Sequence, residues 1–229
     1  VVIVTDNNVQ ADVLNAYSHG ACSFVCKPKN EVEQRTLISR FSQYWAHVAE
    51  LPWGNPDPSA LPIRTFEELA GEIQNGGGRP VKILVVDDSE DDVVLLREAF
   101  SDCPMVEFVG VVEDGDRALQ FLRQEGEFEN SRRPSVVLMD IDMPRKNGFE
   151  VLTEMQADSR LSNVPVVMLT TSKQESDILR AYASGACSFI AKPVNFDSMK
   201  AIARHFALYW ALVADVPQGE EPDSVLALT

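Results

Sequence analysis

The sequence predicts an α/β fold built on a parallel sheet, and three observations carry that prediction. Between residues 82 and 217, apolar β-branched runs alternate five times with helical patterns. That is the signature of parallel strands joined by right-handed helical crossovers. The runs are continuous rather than alternating, as strands buried on both faces require. The back part of the alternation is also written twice: residues 1–52 align without gaps on 166–217, with roughly 40% of positions identical. An offset of 165 residues is far too long for a solenoid period, so the repeat is a duplicated domain.

The elements follow in order. In the first copy, Val1–Val4 read as a buried strand, followed by a helix that ends at Gly20, a C-cap signal. A short strand in "CSFVC" (22–26), a Lys27-Pro28 turn and a long helix complete it. Residues 53–80 are rich in Pro and Gly and read as a linker with one short helix, for which Thr65 and Glu68 suit a capping box. The second copy then supplies a front half that the first lacks. It has strand "KILVV" (82–86), a helix opened by Ser89 with acids in its first turn, and strand "VEFVGVV" (106–112). A helix around 115–124, strand "SVVLM" (135–139) and a helix from about Gly148 follow. The repeated half comes last: strand Val166–Leu169, a helix ending at Gly185, strand "CSFIA", Lys192-Pro193 and a long helix. Met199, Ile202, Ala203, Phe206, Tyr209 or Trp210, and Val213 place one face of that helix on a sheet.

Residues 81–217 therefore read as a complete domain, 1–52 as the C-terminal half of another, and 218–229 as an acidic tail. Two parallel strands with two helices are too little to stand alone. We accordingly expect the chain to begin inside the first of two tandem domains. Both copies end in a Tyr-Trp-Ala helix segment, Tyr44-Trp45 and Tyr209-Trp210. These aromatics are either plain core or the seam of a pseudo-twofold pair, within one chain or between chains.

A net charge of −15 argues against a nucleic-acid surface, which would need clustered Lys and Arg. Nothing approaches the roughly 20 apolar residues of a membrane span, and no signal peptide is legible at the N-terminus. Cys22, Cys26, Cys103 and Cys187 lack zinc-ligand partners and read as structural free thiols in a reducing cytoplasm.

Two acidic clusters end strands: Asp87-Asp88 after "KILVV", and Asp140 with Asp142 in "SVVLMDIDMP". In open parallel sheets function collects at the carboxyl ends of the strands. Neighbouring strands lie ~4.8 Å apart, so adjacent first and third strands would bring these acids into one pocket, joined by Lys192 from a third strand end. Each like-charged pair at ~4 Å costs on the order of 4 kcal/mol at an effective dielectric near 20. Such a site needs protons or a cation. Oxygen-only donors favour Mg²⁺ and leave room for a phosphoryl oxygen.

The ordered set "VVDD", "VLMDIDMPRKNG", "VVMLTTS" and "SFIAKP" resembles the receiver domain of bacterial two-component response regulators, completely over about 82–217 and as a half domain over 1–52. Further segments, "DGDRALQFLRQEGEFEN" and "LYWALVADVP" among them, are similar to the receiver-only partners of bacterial phytochromes. The resemblance implies a flavodoxin-like (βα)5 sheet of order 2-1-3-4-5. It makes Asp140 the phosphoacceptor, Asp88 a direct Mg²⁺ ligand and Asp87 mainly a water-mediated one, with the backbone carbonyl of Asp142 as a further ligand. Lys192 would pair with the phosphoryl group, Thr170 would hydrogen-bond to it, and Phe189 would turn inward with Thr170. The readout would pass through the fourth helix, fifth strand and fifth helix, the face receivers commonly use to dimerise. The implied partners are a histidine kinase, of phytochrome type, or a phosphotransfer protein, with a homodimer or intramolecular receiver–receiver pairing. Both Lys-Pro bonds are candidates for the cis form, which costs only ~0.5–1 kcal/mol before proline.

Two departures matter. Phe189 stands where many receivers carry Tyr, so a hydroxyl readout is absent there. In the first copy Thr5, Phe24 and Lys27 match Thr170, Phe189 and Lys192, but Asp6 falls where the family has a small residue, and its carboxylate should repel a phosphoryl group. The first copy is therefore expected to be slow or silent, and a pseudo-receiver or dimerisation scaffold is the alternative reading. An aspartyl phosphatase of the haloacid dehalogenase type would order its acidic motifs the other way round.

Overall fold

A computed structural model describes residues 1–7, 9–52, 54 and 80–217. The expected linker helix and the acidic tail lie outside the described residues. The first copy contributes β1 (Val2–Thr5), α1 (Gln10–Ser18), β2 (Ser23–Cys26) and α2 (Glu31–His47). The second contributes β3 (Val81–Val86), α3 (Glu90–Phe100), β4 (Val106–Val112), α4 (Gly115–Arg123), β5 (Val136–Met139) and α5 (Gly148–Ala157). It closes with β6 (Val166–Thr170), α6 (Glu175–Ala183), β7 (Ser188–Ala191) and α7 (Phe196–Leu212).

Side-chain caps start the helices where the sequence places them. Ser89 accepts the Asp92 N–H, Asp114 the Arg117 N–H, and Asn147 forms a reciprocal capping box with Glu150. Asn30 and Asn195, one in each copy, cap α2 and α7 in the same way. Gly20 and Gly185, just beyond α1 and α6, take φ of +82° and +97°, the left-handed region that ends helices.

Strands β3 to β7 form one parallel sheet of order β4-β3-β5-β6-β7, the predicted 2-1-3-4-5 order of a flavodoxin-like receiver. Period-two alternation divides its side chains between two cores. Ile83, Val85, Val136, Leu138, Val167 and Leu169 face α3 and α7, whereas Leu84, Val86, Val137, Met139, Val166 and Met168 face α4, α5 and α6. Both faces are covered, which is why the strands read as unbroken apolar runs.

Strands β1 and β2 form a separate parallel pair, with Val2 opposite Ser23 and Thr5 opposite Cys26. The duplication survives folding: α1, β2 and α2 carry the same limits as α6, β7 and α7 shifted by 165 residues. Burial does not survive equally. Strand β6 is buried throughout, whereas in β1, expected to be a buried strand, Val4 is 52% exposed, because no β5 counterpart lies beside it among the described residues.

The two copies meet about a local pseudo-twofold axis along α2 and α7. Tyr44 stacks on Tyr209, with ring centroids 4.2 Å apart and planes 10° from parallel. The Trp45 indole donates to the Tyr209 hydroxyl (3.0 Å), and Trp210 donates to the Tyr44 hydroxyl (3.3 Å). The backbone repeats the symmetry: Glu50 N–H donates to the Phe189 carbonyl and Asp215 N–H to the Phe24 carbonyl, both at 2.7 Å. Each copy's chain beyond its last helix thus covers the edge strand of the other. The repeated aromatics are both core and seam.

All four cysteines are free. Burial pushes the Cys103 thiol up to about 11 and raises that of Cys187 further, which makes both poor nucleophiles.

Candidate functional site

The register of β3 on β5 sets Val86 beside Met139, so Asp87 and Asp140 emerge side by side from adjacent strands. Backbone bonds hold the strand tips: Asp87 N–H donates to the Val112 carbonyl (3.0 Å) and Asp140 N–H to the Val86 carbonyl (2.9 Å). Carboxylate oxygens of Asp87, Asp88 and Asp140 all lie within 4.8 Å of one another, Asp87 and Asp140 buried and Asp88 exposed. The Asp142 side chain is exposed and outside this cluster.

The turn after β5 has no spare volume. Gly148 N–H donates to the Ile141 carbonyl (2.9 Å), and a Cβ at Gly148 would fall 2.3 Å from the Asp140 carbonyl oxygen. Arg145, with φ of +65°, reaches the buried carboxylate of Asp114 and ties the turn to the start of α4.

Lys192 follows β7. Its ammonium donates to Asp87 Oδ2 (2.8 Å), Asp140 Oδ2 (3.1 Å) and Asp92 Oδ2 (2.7 Å). Burial raises the Asp87 pKa above the ordinary carboxylate value, against the pull of Lys192 and of the Ser89 N–H on its other oxygen. For Lys192 burial acts downward, but its bonds to Asp87 and Asp92 and the charge of Asp140 outweigh it, and the ammonium stays firmly charged.

Thr170 is fully buried at the end of β6, beside Ala191 on β7. Phe189 lies opposite Met168, two residues before Thr170, so Phe189 and Thr170 share a sheet face, and Phe189 is fully buried there. The Phe189 N–H donates to the Tyr182 hydroxyl of α6 (3.3 Å), which in turn donates to the Glu50 carbonyl of the first copy (2.9 Å).

The first copy places Thr5 at the end of β1, Phe24 in the core and Lys27 beyond β2. Lys27 pairs with Asp6 at 3.5 Å, both side chains largely exposed. An exposed pair of this kind contributes little. One expectation is overturned: every peptide bond among the described residues is trans, Lys192-Pro193 and Lys27-Pro28 included. Trans is the lower-energy form of X-Pro bonds, and the turns close without the alternative.

Sequence reasoning missed Asp92, whose acid reads as a helix-dipole residue in the first turn of α3. The available signal was directional: side chains of a first turn tilt toward the helix N-terminus, here back over the strand tips. It also missed Tyr182 as the bridge between Glu50 and Phe189.

Oxygen-only donors without His or Cys fit a hard divalent cation, and the lysine poised beside a buried carboxylate fits an anion delivered to that carboxylate. Fold and site together define a receiver-type signalling domain. The response regulator receiver domain model matches residues 83–204, and the chain belongs to that family. It is similar to the response regulator Rcp1 of Synechocystis sp., 33% identical over 138 residues that span 60% of this chain and 94% of that protein. Protein PilH of Pseudomonas aeruginosa is 34% identical over 122 residues, 52% of this chain and 90% of that one. Among solved structures, the phosphorylated cyanobacterial phytochrome response regulator RcpA superposes with a TM-score of 0.58 at 36% identity, over 61% of this chain and 99% of its own. The Mn²⁺-bound form of Rcp1 gives 0.56 at 34% identity, over 61% and 100%. Receiver domains of this family are two-component signalling modules, and no helix among the described residues is long and apolar enough to cross a membrane.

Proposed function

We propose that Asp140 accepts a phosphoryl group from the phosphohistidine of a histidine kinase, of phytochrome type or through a phosphotransfer protein, in a Mg²⁺-dependent reaction within the cytoplasm. The observation that carries this reading is the buried Asp140 carboxylate, clustered with Asp87 and Asp88 and hydrogen-bonded to Lys192. An oxygen of Asp140 attacks phosphorus in line. The P–N bond breaks, and the imidazole leaves with the electron pair and takes a proton from solvent. Ile141 N–H donates to Asp140 Oδ1 (2.7 Å), which leaves Oδ2 on the Lys192 side as the attacking atom. Lys192 neutralises charge on the arriving phosphoryl oxygens. Asp88 directly and Asp87 mainly through water, with Asp140 and the carbonyl of Asp142, would hold Mg²⁺, which when bound offsets carboxylate repulsion and phosphoryl charge.

The Thr170 hydroxyl reports the new group and Phe189 follows it, passing the change to the face formed by α6, β7 and α7. That face is paired in cis with α2, which supports an intramolecular receiver–receiver pair in place of a homodimer. Residues 1–52 serve as the C-terminal half of a first receiver, 53–80 as its linker and 218–229 as an acidic tail. The exposed Asp6 carboxylate, standing where the family has a small residue, should repel an incoming phosphoryl group, which favours a scaffold role for that first copy.

Intact mass after incubation with acetyl phosphate and Mg²⁺ tests this. One hydroxylamine-labile phosphoryl adduct is expected on the wild type and none on Asp140→Asn. A wild type that stays unmodified makes the whole chain a pseudo-receiver scaffold.

A further inference from the structure

An ammonium has three N–H donors, and Lys192 gives all three to carboxylates: Asp87, Asp140 and Asp92. The first two belong to the cluster whose oxygens lie within 4.8 Å of one another, and Asp92 does not. The Asp92 contact is nonetheless the shortest of the three, at 2.7 Å, and comes from a different element, the first turn of α3. The Asp92 backbone is fixed by the Ser89 cap, whose hydroxyl accepts its N–H at 3.2 Å. Its side chain is 33% exposed, while that of Lys192 is 5% exposed, so Asp92 approaches the ammonium from the mouth of the site.

We infer that Asp92 is a positioning residue for phosphoryl transfer, the counter-ion that holds the Lys192 ammonium outward from the acid cluster. A cation drawn to Asp87 and Asp140 and the Lys192 ammonium draw on the same two carboxylates. Asp92 is the partner that Lys192 does not share. With it in place, the ammonium keeps a carboxylate at the mouth when Asp87 and Asp140 turn to another cation, and it stays within reach of an incoming phosphoryl group. Without it, the ammonium sinks onto Asp87 and Asp140 and competes with the ion. The inference rests on the metal reading proposed above, and its test separates the two.

Mg²⁺ affinity is measured by calorimetry on the unphosphorylated chain for wild type, Asp92→Asn, Lys192→Met and the double variant. Asp92→Asn is expected to weaken Mg²⁺ binding about tenfold with Lys192 present and less than about twofold in the Lys192→Met background, the coupling of two residues that act through each other. Equal weakening in both backgrounds reduces Asp92 to a distant charge and overturns the inference, as does no weakening in either. Solvent exchange of the Lys192 ammonium protons, followed by ¹⁵N NMR without added metal, gives a readout that needs no ion. It should be faster in Asp92→Asn, and restored by Asp92→Glu. Unchanged exchange overturns the positioning role. A wild type that binds no Mg²⁺ while its exchange responds to Asp92→Asn overturns the metal reading alone and leaves Asp92 as the residue that fixes Lys192.

Discussion

Replacing Tyr44 with Phe removes one oxygen from the α2–α7 seam and leaves the ring stack on Tyr209 intact. The lost hydroxyl is the acceptor for the Trp210 indole N–H at 3.3 Å, and Trp210 is 1% exposed, so no water can take over. A buried donor left unpaired costs ~1–3 kcal/mol. The pseudo-equivalent change, Tyr209→Phe, removes the acceptor of Trp45 at 3.0 Å, but Trp45 is half-buried and its indole can turn to solvent. That loss is an ordinary hydrogen bond, ~0.5–1.5 kcal/mol. Both hydroxyls face pseudo-equivalent serines, Ser188 and Ser23, so that contribution cancels in the comparison. Tyr44→Phe should therefore be the more destabilising by ~1 kcal/mol, a difference of about 2–4 °C in Tm for a chain of this size. Scanning calorimetry on both variants reads it directly. Equal losses, or a larger loss for Tyr209→Phe, would refute the argument that burial of the donor, and not the bond itself, sets the cost.

Other outcomes follow from the same geometry. Gly148→Ala drives a Cβ into the Asp140 carbonyl and should cost roughly 2 kcal/mol or more in a thermal melt. Gly20→Ala meets no atom within 4 Å and should cost only the left-handed backbone penalty of ~1 kcal/mol. Gly148→Ala should also slow acetyl phosphate labelling, by displacing the acceptor's turn. Lys192→Met leaves three carboxylates without their ammonium, so its Tm should fall in metal-free buffer and recover more than the wild type's on adding Mg²⁺. Burial, with the nearby charges of His47 and Arg204, lowers the His205 pKa below its unfolded value, against the bond its ring makes to the Ala201 carbonyl. The unfolded chain then binds the proton more tightly, so stability falls as pH drops below about 6.5 through the folded pKa. His205→Gln should flatten that part of the Tm–pH curve, and an unchanged slope would assign the acid sensitivity elsewhere.

The sequence by itself determined the parallel α/β sheet, the strand limits to within a residue or two and the duplication. Continuous apolar runs, helix caps such as Ser89 and C-terminal glycines are local signals that do not depend on the rest of the chain. It also determined which acids and which lysine stand at strand ends, because strand order brings Asp87, Asp140 and Lys192 to one edge of the sheet. Only the tertiary structure decided what surrounds them. Asp92 joins Lys192 across 100 residues of sequence, and Glu50 reaches Phe189 across 139, contacts set by how α3 and α2 pack. The alternatives left open for Tyr44-Trp45 and Tyr209-Trp210 were likewise settled by packing. Periodicity shows that an aromatic is buried, but what it is buried against depends on a long-range pairing that no local stretch of residues encodes.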